Sequence, residues 1–278
     1  MNEPYSKWQT NELTKTFLKG VRGAIPGADL QLAVIGKVAQ LWYTNPATII
    51  DLGCGNGILG RFLLEQFPHA QGVFVDFSEP MLEAARENVG NMPQATVVKA
   101  DFSGPEWVEA VQSHRRFDIV VSGFAIHHQP DERKRLLYSE IFDLLNLGGV
   151  FLNLEHVASA TQAGEQLFDE FFVDHLHNFH VRSDPKASRE DIADTYYKRP
   201  DKQENILAPV EDQCQWLRDI GFADVDCFFK VFELALFGGR KTSNKADAEP
   251  VPTENCIQRT IKQHDGIHDA VRQHGGTR

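Results

Sequence analysis

Three aspartates, Asp51, Asp76 and Asp101, each close an apolar run, and a glycine-rich stretch follows the first. Glycine is costly in chain entropy, so four glycines within IIDLGCGNGILG require a reason. A histidine pair, His127 and His128, follows a fourth apolar run, and Glu155 with His156 closes a fifth. Carboxylates beside a glycine turn suit hydroxyl, amine and ammonium groups. An imidazole near neutral pKa suits proton removal. Arg199, near the end of a polar segment, offers the planar fork that grips a carboxylate or phosphate, which admits a carboxylate-bearing acceptor.

The glycines can be framed in two ways. Gly55 to Gly60 matches G-x-G-x-x-G, the dinucleotide fingerprint. The apolar run, however, ends at Asp51-Leu52, so the tight turn is Gly53-Cys54-Gly55 and Gly57 opens the following helix. The better frame is D-x-G-x-G-x-G, with Gly60 already inside the helix as a packing residue. Gly53, Gly55 and Gly57 then let backbone approach a ligand without a Cβ in the way. Asp51 beside them would repel a pyrophosphate and suits a ligand carrying a cation, such as S-adenosylmethionine. Asp76, followed by Phe77, is placed to accept from ribose hydroxyls. Asp101 can accept from an adenine amino group, with Phe102 packing on the ring.

These residues need elements to position them. ATIIDL reads as a short strand buried on both faces, and the type recurs at 72–77, 95–100, 117–122 and 149–155. Helical stretches fall between them at 58–67, 79–89, 105–114 and 131–145. The alternation predicts an α/β fold: a Rossmann-like, doubly wound, mostly parallel seven-stranded sheet. A helix over 209–220 precedes FADVDCFFK and VFELALFGG, a C-terminal antiparallel strand pair. Residues 1–45 read as an N-terminal helical cap at a sheet edge, 46–240 as the ligand-binding domain, 156–205 as a helical lid insertion, and 241–278 as a polar, mobile tail. HLHNFH puts His177 and His180 on one helix face and His175 elsewhere, so no metal is expected. Phe168, Phe171 and Phe172 have helical core spacing.

DLGCGNG, VDFS, ADF, FDIVVSGFAIHH and LLNLGGVFLNLE resemble, in order and spacing, the motifs of class I S-adenosylmethionine-dependent methyltransferases. The resemblance implies that Asp51, Gly53, Cys54, Gly55 and Gly57 surround the methionine moiety. It further implies that Asp76 and Phe77 serve the ribose, that Asp101 and Phe102 contact the adenine, and that Gly123 and Phe124 line the cofactor. IPGADLQLAVIGKVAQ, YYKRPDKQENIL and CFFKVFELALFGG are similar to a narrower group, the carboxy-S-adenosylmethionine synthases of tRNA wobble-uridine modification. That likeness implies that Arg199 grips a cofactor carboxylate and that the chain is a homodimer. The chain departs from the group at Ala28, where it has a tyrosine, and at the histidine pair.

The expected activity is methyl transfer to a small-molecule acceptor by in-line displacement, with His127, His128, Glu155 and Arg199 as catalytic candidates. A prephenate-dependent carboxy-S-adenosylmethionine synthase is the alternative. A non-catalytic cofactor-binding partner protein and a nicotinamide oxidoreductase rank below it. Net charge is −11 over 278 residues, which disfavours a nucleic-acid partner. No apolar run is long enough to span a bilayer, the N-terminus lacks a secretory pattern, and the four cysteines form no CxxC pair. A cytoplasmic protein with reduced thiols is expected.

Overall fold

The computed structural model describes residues 25–114, 116–198, 202 and 204–242. Helix α1 (Ala28–Trp42) leads into β1 (Thr48–Leu52). There follow α2 (Ile58–Gln66), β2 (Gln71–Asp76), α3 (Glu79–Val89), β3 (Ala95–Lys99), a single turn α4 (Trp107–Ala110) and β4 (Phe117–Gly123). Helix α5 (Asp131–Leu144) precedes β5 (Leu145–His156), the helices α6 (Gln162–His180) and α7 (Arg189–Tyr197), then α8 (Val210–Ile220), β6 (Ala223–Val231) and β7 (Leu234–Arg240).

The sheet has seven strands in the order β3-β2-β1-β4-β5-β7-β6. Strands β1 to β5 are parallel, and β7 runs antiparallel to both β5 and β6. The fold is thus Rossmann-like, with the expected closing pair. Strand order reverses between β1 and β4, where a doubly wound sheet opens a crevice at its carboxyl ends.

Alternate residues of the central strands feed two cores. Ile50, Leu52 and Val120 pack with Leu137, Tyr138 and Leu217 of α5 and α8. Ile49, Ile119 and Val121 pack with Ile35, Leu63 and Leu82 of α1, α2 and α3. Cover on both faces explains why these strands read as unbroken apolar runs. Trp42 of α1 meets Phe228 of β6 edge-on, with ring centroids 5.2 Å apart, so α1 covers a face at the β6 end and does not cap an edge.

A third, smaller core joins Phe168, Phe172 and Val173 of α6 to Tyr196 of α7, with Ile25 and Leu234. Phe171 is only half-buried, so the phenylalanine spacing is core spacing at two of its three positions. Two expectations need correction. Strand β5 starts at Leu145, pairing with Phe117 before a bulge, and not at Gly149. Phe232 and Glu233 form the turn between β6 and β7 instead of opening the last strand, and Phe232 takes the left-handed region (φ 51°) there. The parts of the cap and tail at 1–24 and 243–278 lie outside the described residues. No helix among the described residues is long and apolar enough to cross a membrane.

Candidate cofactor and acceptor site

The glycine loop leaves β1 with Gly53, Gly55 and Gly57 all at positive φ (69°, 53° and 80°). Their needs differ. A Cβ on Gly53 would lie 2.4 Å from the Ala125 Cβ and 3.3 Å from the Phe102 ring, so this glycine lets three loops converge. A Cβ on Gly55 would meet nothing within 4 Å, so Gly55 borders open space at the strand ends. The loop backbone is therefore bare at this point, with room for a neighbouring group to approach it. Gly60 is a packing residue, since a Cβ there would strike the Phe74 ring at 2.5 Å.

The first carboxylate is not placed as expected. Asp51 is buried, and its Oδ2 accepts from the Gly60 N–H at 2.7 Å. That N–H is one of the donors a helix leaves unpaired in its first turn, so Asp51 caps α2 and fixes the loop from below. The Cys54 thiol is also turned away from the crevice. It packs in the α1–α3 core, and burial, with the charges of Asp76 and Asp51, pushes its pKa well up. Its Sγ lies 3.6 Å from the Gly55 carbonyl, its N–H bonds the Val75 carbonyl at 2.9 Å, and its own carbonyl accepts from the Gly57 N–H at 2.8 Å.

Asp76 closes β2 under the loop. Its two oxygens accept from the N–H groups of Gly55 and Ser78, each at 2.9 Å. Burial raises its pKa, these backbone donors lower it, and the charge of Asp101 raises it again. Asp101 is exposed and accepts from the Ser103 N–H at 2.8 Å. Phe77 is half-buried beside Asp76. Phe102 is buried, its ring against Gly53, as a floor to the glycine loop. Gly123 is small because a Cβ there would lie 2.5 Å from Leu59 of α2. Phe124 takes φ 53°, a strained backbone of the kind that gathers at functional sites, and packs into both the α1–α3 core and the small third core.

The histidine side is built on Glu155. This carboxylate is fully buried under the β4 exit, below the mouth where a contact group was expected. It accepts from the N–H groups of Ala125 (3.2 Å), Ile126 (2.9 Å) and His127 (3.2 Å), and lies 2.7 Å from His127 Nδ1. Burial pushes its pKa up to about 7 against those donors and the charges of His128 and Lys134. Imidazoles 127 and 128 lie 4.0 Å apart by ring centroids, and His156 stands edge-on to His127 at 5.9 Å. His156 is held in turn by Glu233, whose Oε2 is 2.8 Å from Nε2 and whose Oε1 accepts from Ser159.

Sequence reading missed Glu233, and Asn205 beside His156. It also missed Arg133, which donates to the carbonyls of Phe102 and Gly104 while forming a two-point pair with Glu140. Glu233 could have been found only by placing the turn one residue later. Arg133 lies in a charged helix start, DERKR, where nothing marks one cation as buried. Arg199 lies outside the described residues. His177 Nε2 sits 3.2 Å from the Ala187 carbonyl within the insertion, remote in sequence from the strand exits. Among the described residues no group of three or more His, Cys, Asp or Glu is placed to share a metal ion.

A methyltransferase-domain family matches residues 49–149, the span from β1 through the start of β5. The chain is 26% identical over 223 residues to a carboxy-S-adenosyl-L-methionine synthase of Shewanella amazonensis, covering 77% of this chain and 84% of the relative. It is 28% identical over 101 residues to malonyl-[acyl-carrier protein] O-methyltransferase 1 of Ilyobacter polytropus, covering 36% of this chain and spanning only 35% of that relative. Among solved structures, an O-methyltransferase family protein from Burkholderia thailandensis superposes with a TM-score of 0.62 at 16% identity. That match covers 86% of this chain and 63% of the other, and it speaks to the fold.

A doubly wound sheet with this closing pair and an open glycine cradle at the β1–β4 switch defines the class I methyltransferase architecture. Over residues 49–149 the chain carries the methyltransferase-domain match, and this likeness, with that to the carboxy-S-adenosyl-L-methionine synthase, supports S-adenosyl-L-methionine as the cofactor.

Proposed function

We propose that this protein transfers a methyl group to the hydroxyl of a small-molecule acceptor, with His127 as proton acceptor. The single observation that carries the reading is the 2.7 Å contact between Glu155 and His127 Nδ1. A carboxylate on Nδ1 fixes the tautomer that leaves Nε2 basic, at the strand exit where the acceptor must lie. When bound, the cofactor supplies an electrophilic methyl on a sulfonium, so the leaving group needs no help. The chain's own work is to orient the acceptor, exclude water and take one proton. Residues Gly53 to Gly57, Asp76 and the Asp101–Phe102 turn would hold the cofactor. Glu155 and Asp51 would act through the loops they fix. Residues 156–205 would form the lid, and the net charge supports a small acceptor over nucleic acid. Cytoplasmic placement and a homodimer belong to the same proposal, and sedimentation of the purified protein tests the latter.

The test is incubation with methyl-labelled cofactor and a panel of hydroxylated, amino and thiol acceptors. Label transferred to hydroxyl acceptors alone supports the reading. Transfer confined to amines, which need no carboxylate-oriented base of this kind, overturns it. A second reading, carboxy-S-adenosylmethionine synthesis, is favoured by the match over most of both chains to a relative of that name. Mass spectrometry of the cofactor that copurifies decides between them: a carboxylated cofactor replaces the first reading.

A further inference from the structure

Lys134 is completely buried in the first turns of α5, although the same helix offers solvent-facing positions such as Leu136. Ordering a lysine stem and desolvating its ammonium are both costly, so the position has to be compensated. Its Nζ donates to Asp131 Oδ1 at 2.8 Å and to the Ile206 carbonyl.

Two features meet at this one group. Ile206 lies in the segment that leaves the insertion, and three consecutive residues of that segment touch the three histidines, two at the ring and one at the backbone. The Glu204 carbonyl is 3.3 Å from His128 Nδ1, Asn205 Nδ2 is 3.5 Å from His156 Nδ1, and the Ile206 N–H donates to the His127 carbonyl at 2.9 Å. The second feature is electrostatic. His127 contacts Glu155, the charges of His128 from the β4 exit and of Lys134 from α5 favour its ionised form, and Tyr138 feels its charge; among them Lys134, paired with Asp131, is the fixed positive charge.

We propose that Lys134 is a positioning residue that ties the exit segment of the insertion to the Glu155–His127 pair, anchoring Ile206 through its carbonyl and presenting a positive charge to Glu155. The role rests on the reading of His127 as proton acceptor. It links two parts of the site through one side chain: when the segment is seated, the His127 backbone and the rings of His128 and His156 are braced, and the carboxylate that orients His127 keeps its counter-charge.

The test uses the full chain saturated with S-adenosylhomocysteine and needs no acceptor. Histidine ring resonances give the titration midpoint of His127, with exposed His69 as internal control, and amide hydrogen exchange follows Ile206. Lys134→Met should leave the affinity for S-adenosylhomocysteine within about twofold, shift the His127 midpoint by about half a pH unit or more because the positive charge acting on the Glu155–His127 pair is lost, and leave His69 unmoved. Exchange at Ile206 should quicken by about tenfold. Lys134→Gln, which keeps a donor for the Ile206 carbonyl but no charge, should move the midpoint and largely preserve the protection. An unmoved midpoint or unchanged exchange in Lys134→Met overturns the proposal, as does a loss of S-adenosylhomocysteine binding in proportion to the other changes. If the methionine variant does not fold, the glutamine variant decides: a shifted His127 midpoint with His69 unmoved supports the role, and no shift overturns it. Should His127→Asn retain turnover, the proton-acceptor reading fails while both of these readouts still stand.

Discussion

Glu155 and His127 are joined twice, through the imidazole Nδ1 at 2.7 Å and through the backbone N–H of His127 at 3.2 Å to the same oxygen, Oε2. One side chain on β5 therefore sets both the path of the β4 exit and the rotation of its ring. Asp51 does the same for the glycine loop, holding the Gly60 N–H so that the turn above it cannot drift. In each case a buried carboxylate that looks like a contact group in the sequence holds the backbone of a neighbouring element.

Glu155 predicts a dependence of stability on pH. Burial raises its pKa from the ordinary 4.5 to about 7, so the folded protein binds a proton that the unfolded chain has already released. The contribution of this group is complete below about pH 4.5 and is lost as pH rises through 7. Comparison of wild type with Glu155→Gln by chemical denaturation between pH 5 and 8 reads it. The wild type should lose up to about 3 kcal/mol relative to the variant over that interval. Parallel curves for the two proteins would remove Glu155 as the source.

The glycine loop predicts two opposite outcomes from the same substitution. Gly53→Ala forces a Cβ to 2.4 Å from that of Ala125 at a positive φ, and should destabilise the fold by about 2–4 kcal/mol. Gly55→Ala meets open space and should cost only about 1–2 kcal/mol from its φ of 53°. Its methyl group enters the cradle, however, so cofactor affinity should fall by about tenfold or more. Thermal melts with calorimetric titration of S-adenosylhomocysteine separate the two. Equal losses of stability would refute the distinction.

The element order was legible because it rests on periodicity and glycine placement, which act locally. The strands read as apolar runs since both faces are covered, and Gly221 after α8 and Pro46 before β1 mark real boundaries. The direction of each side chain at the site was not legible. Asp51, Asp76 and Asp101 are alike in sequence, yet one caps a helix, one is buried under the loop and one is exposed. The difference comes from neighbours brought in by other elements: Gly60 from α2, Gly55 from the turn above Asp76, and only the adjacent Ser103 for Asp101. Arg133 and Glu233 were missed for the same reason. Each is defined by partners on loops that no local pattern connects to it.

His127 predicts a split between binding and turnover. With a hydroxyl acceptor, His127→Asn should lower kcat by about a hundredfold or more, as loss of a general base does. Its affinity for S-adenosylhomocysteine should stay within about twofold, since the glycine cradle is built from other elements. The remaining activity should rise with pH as the acceptor itself ionises. A variant that keeps its kcat would show that the acceptor reacts without a base, as an amine would.

Arg133 predicts a defect on the cofactor side that arises without direct contact. Its guanidinium bonds the carbonyls of Phe102 (2.8 Å) and Gly104 (2.9 Å), and its pair with Glu140 also holds Trp107 Nε1 at 2.7 Å. The β3 exit, with Asp101 and the Phe102 floor of the glycine loop, is thereby pinned to α5. Arg133→Met leaves Glu140 part-buried without its partner and two loop carbonyls unpaired, a change that costs about 2–4 kcal/mol at such sites. Arg133→Met/Glu140→Leu removes the carboxylate left without its counter-charge but also the acceptor of Trp107 Nε1, and should recover part of that stability. The loop carbonyls stay unpaired in the double variant, so cofactor affinity should remain about tenfold or more below wild type while the melt recovers. Recovery of both together would mean that Arg133 supports only the helix, and that the β3 exit holds its shape without it.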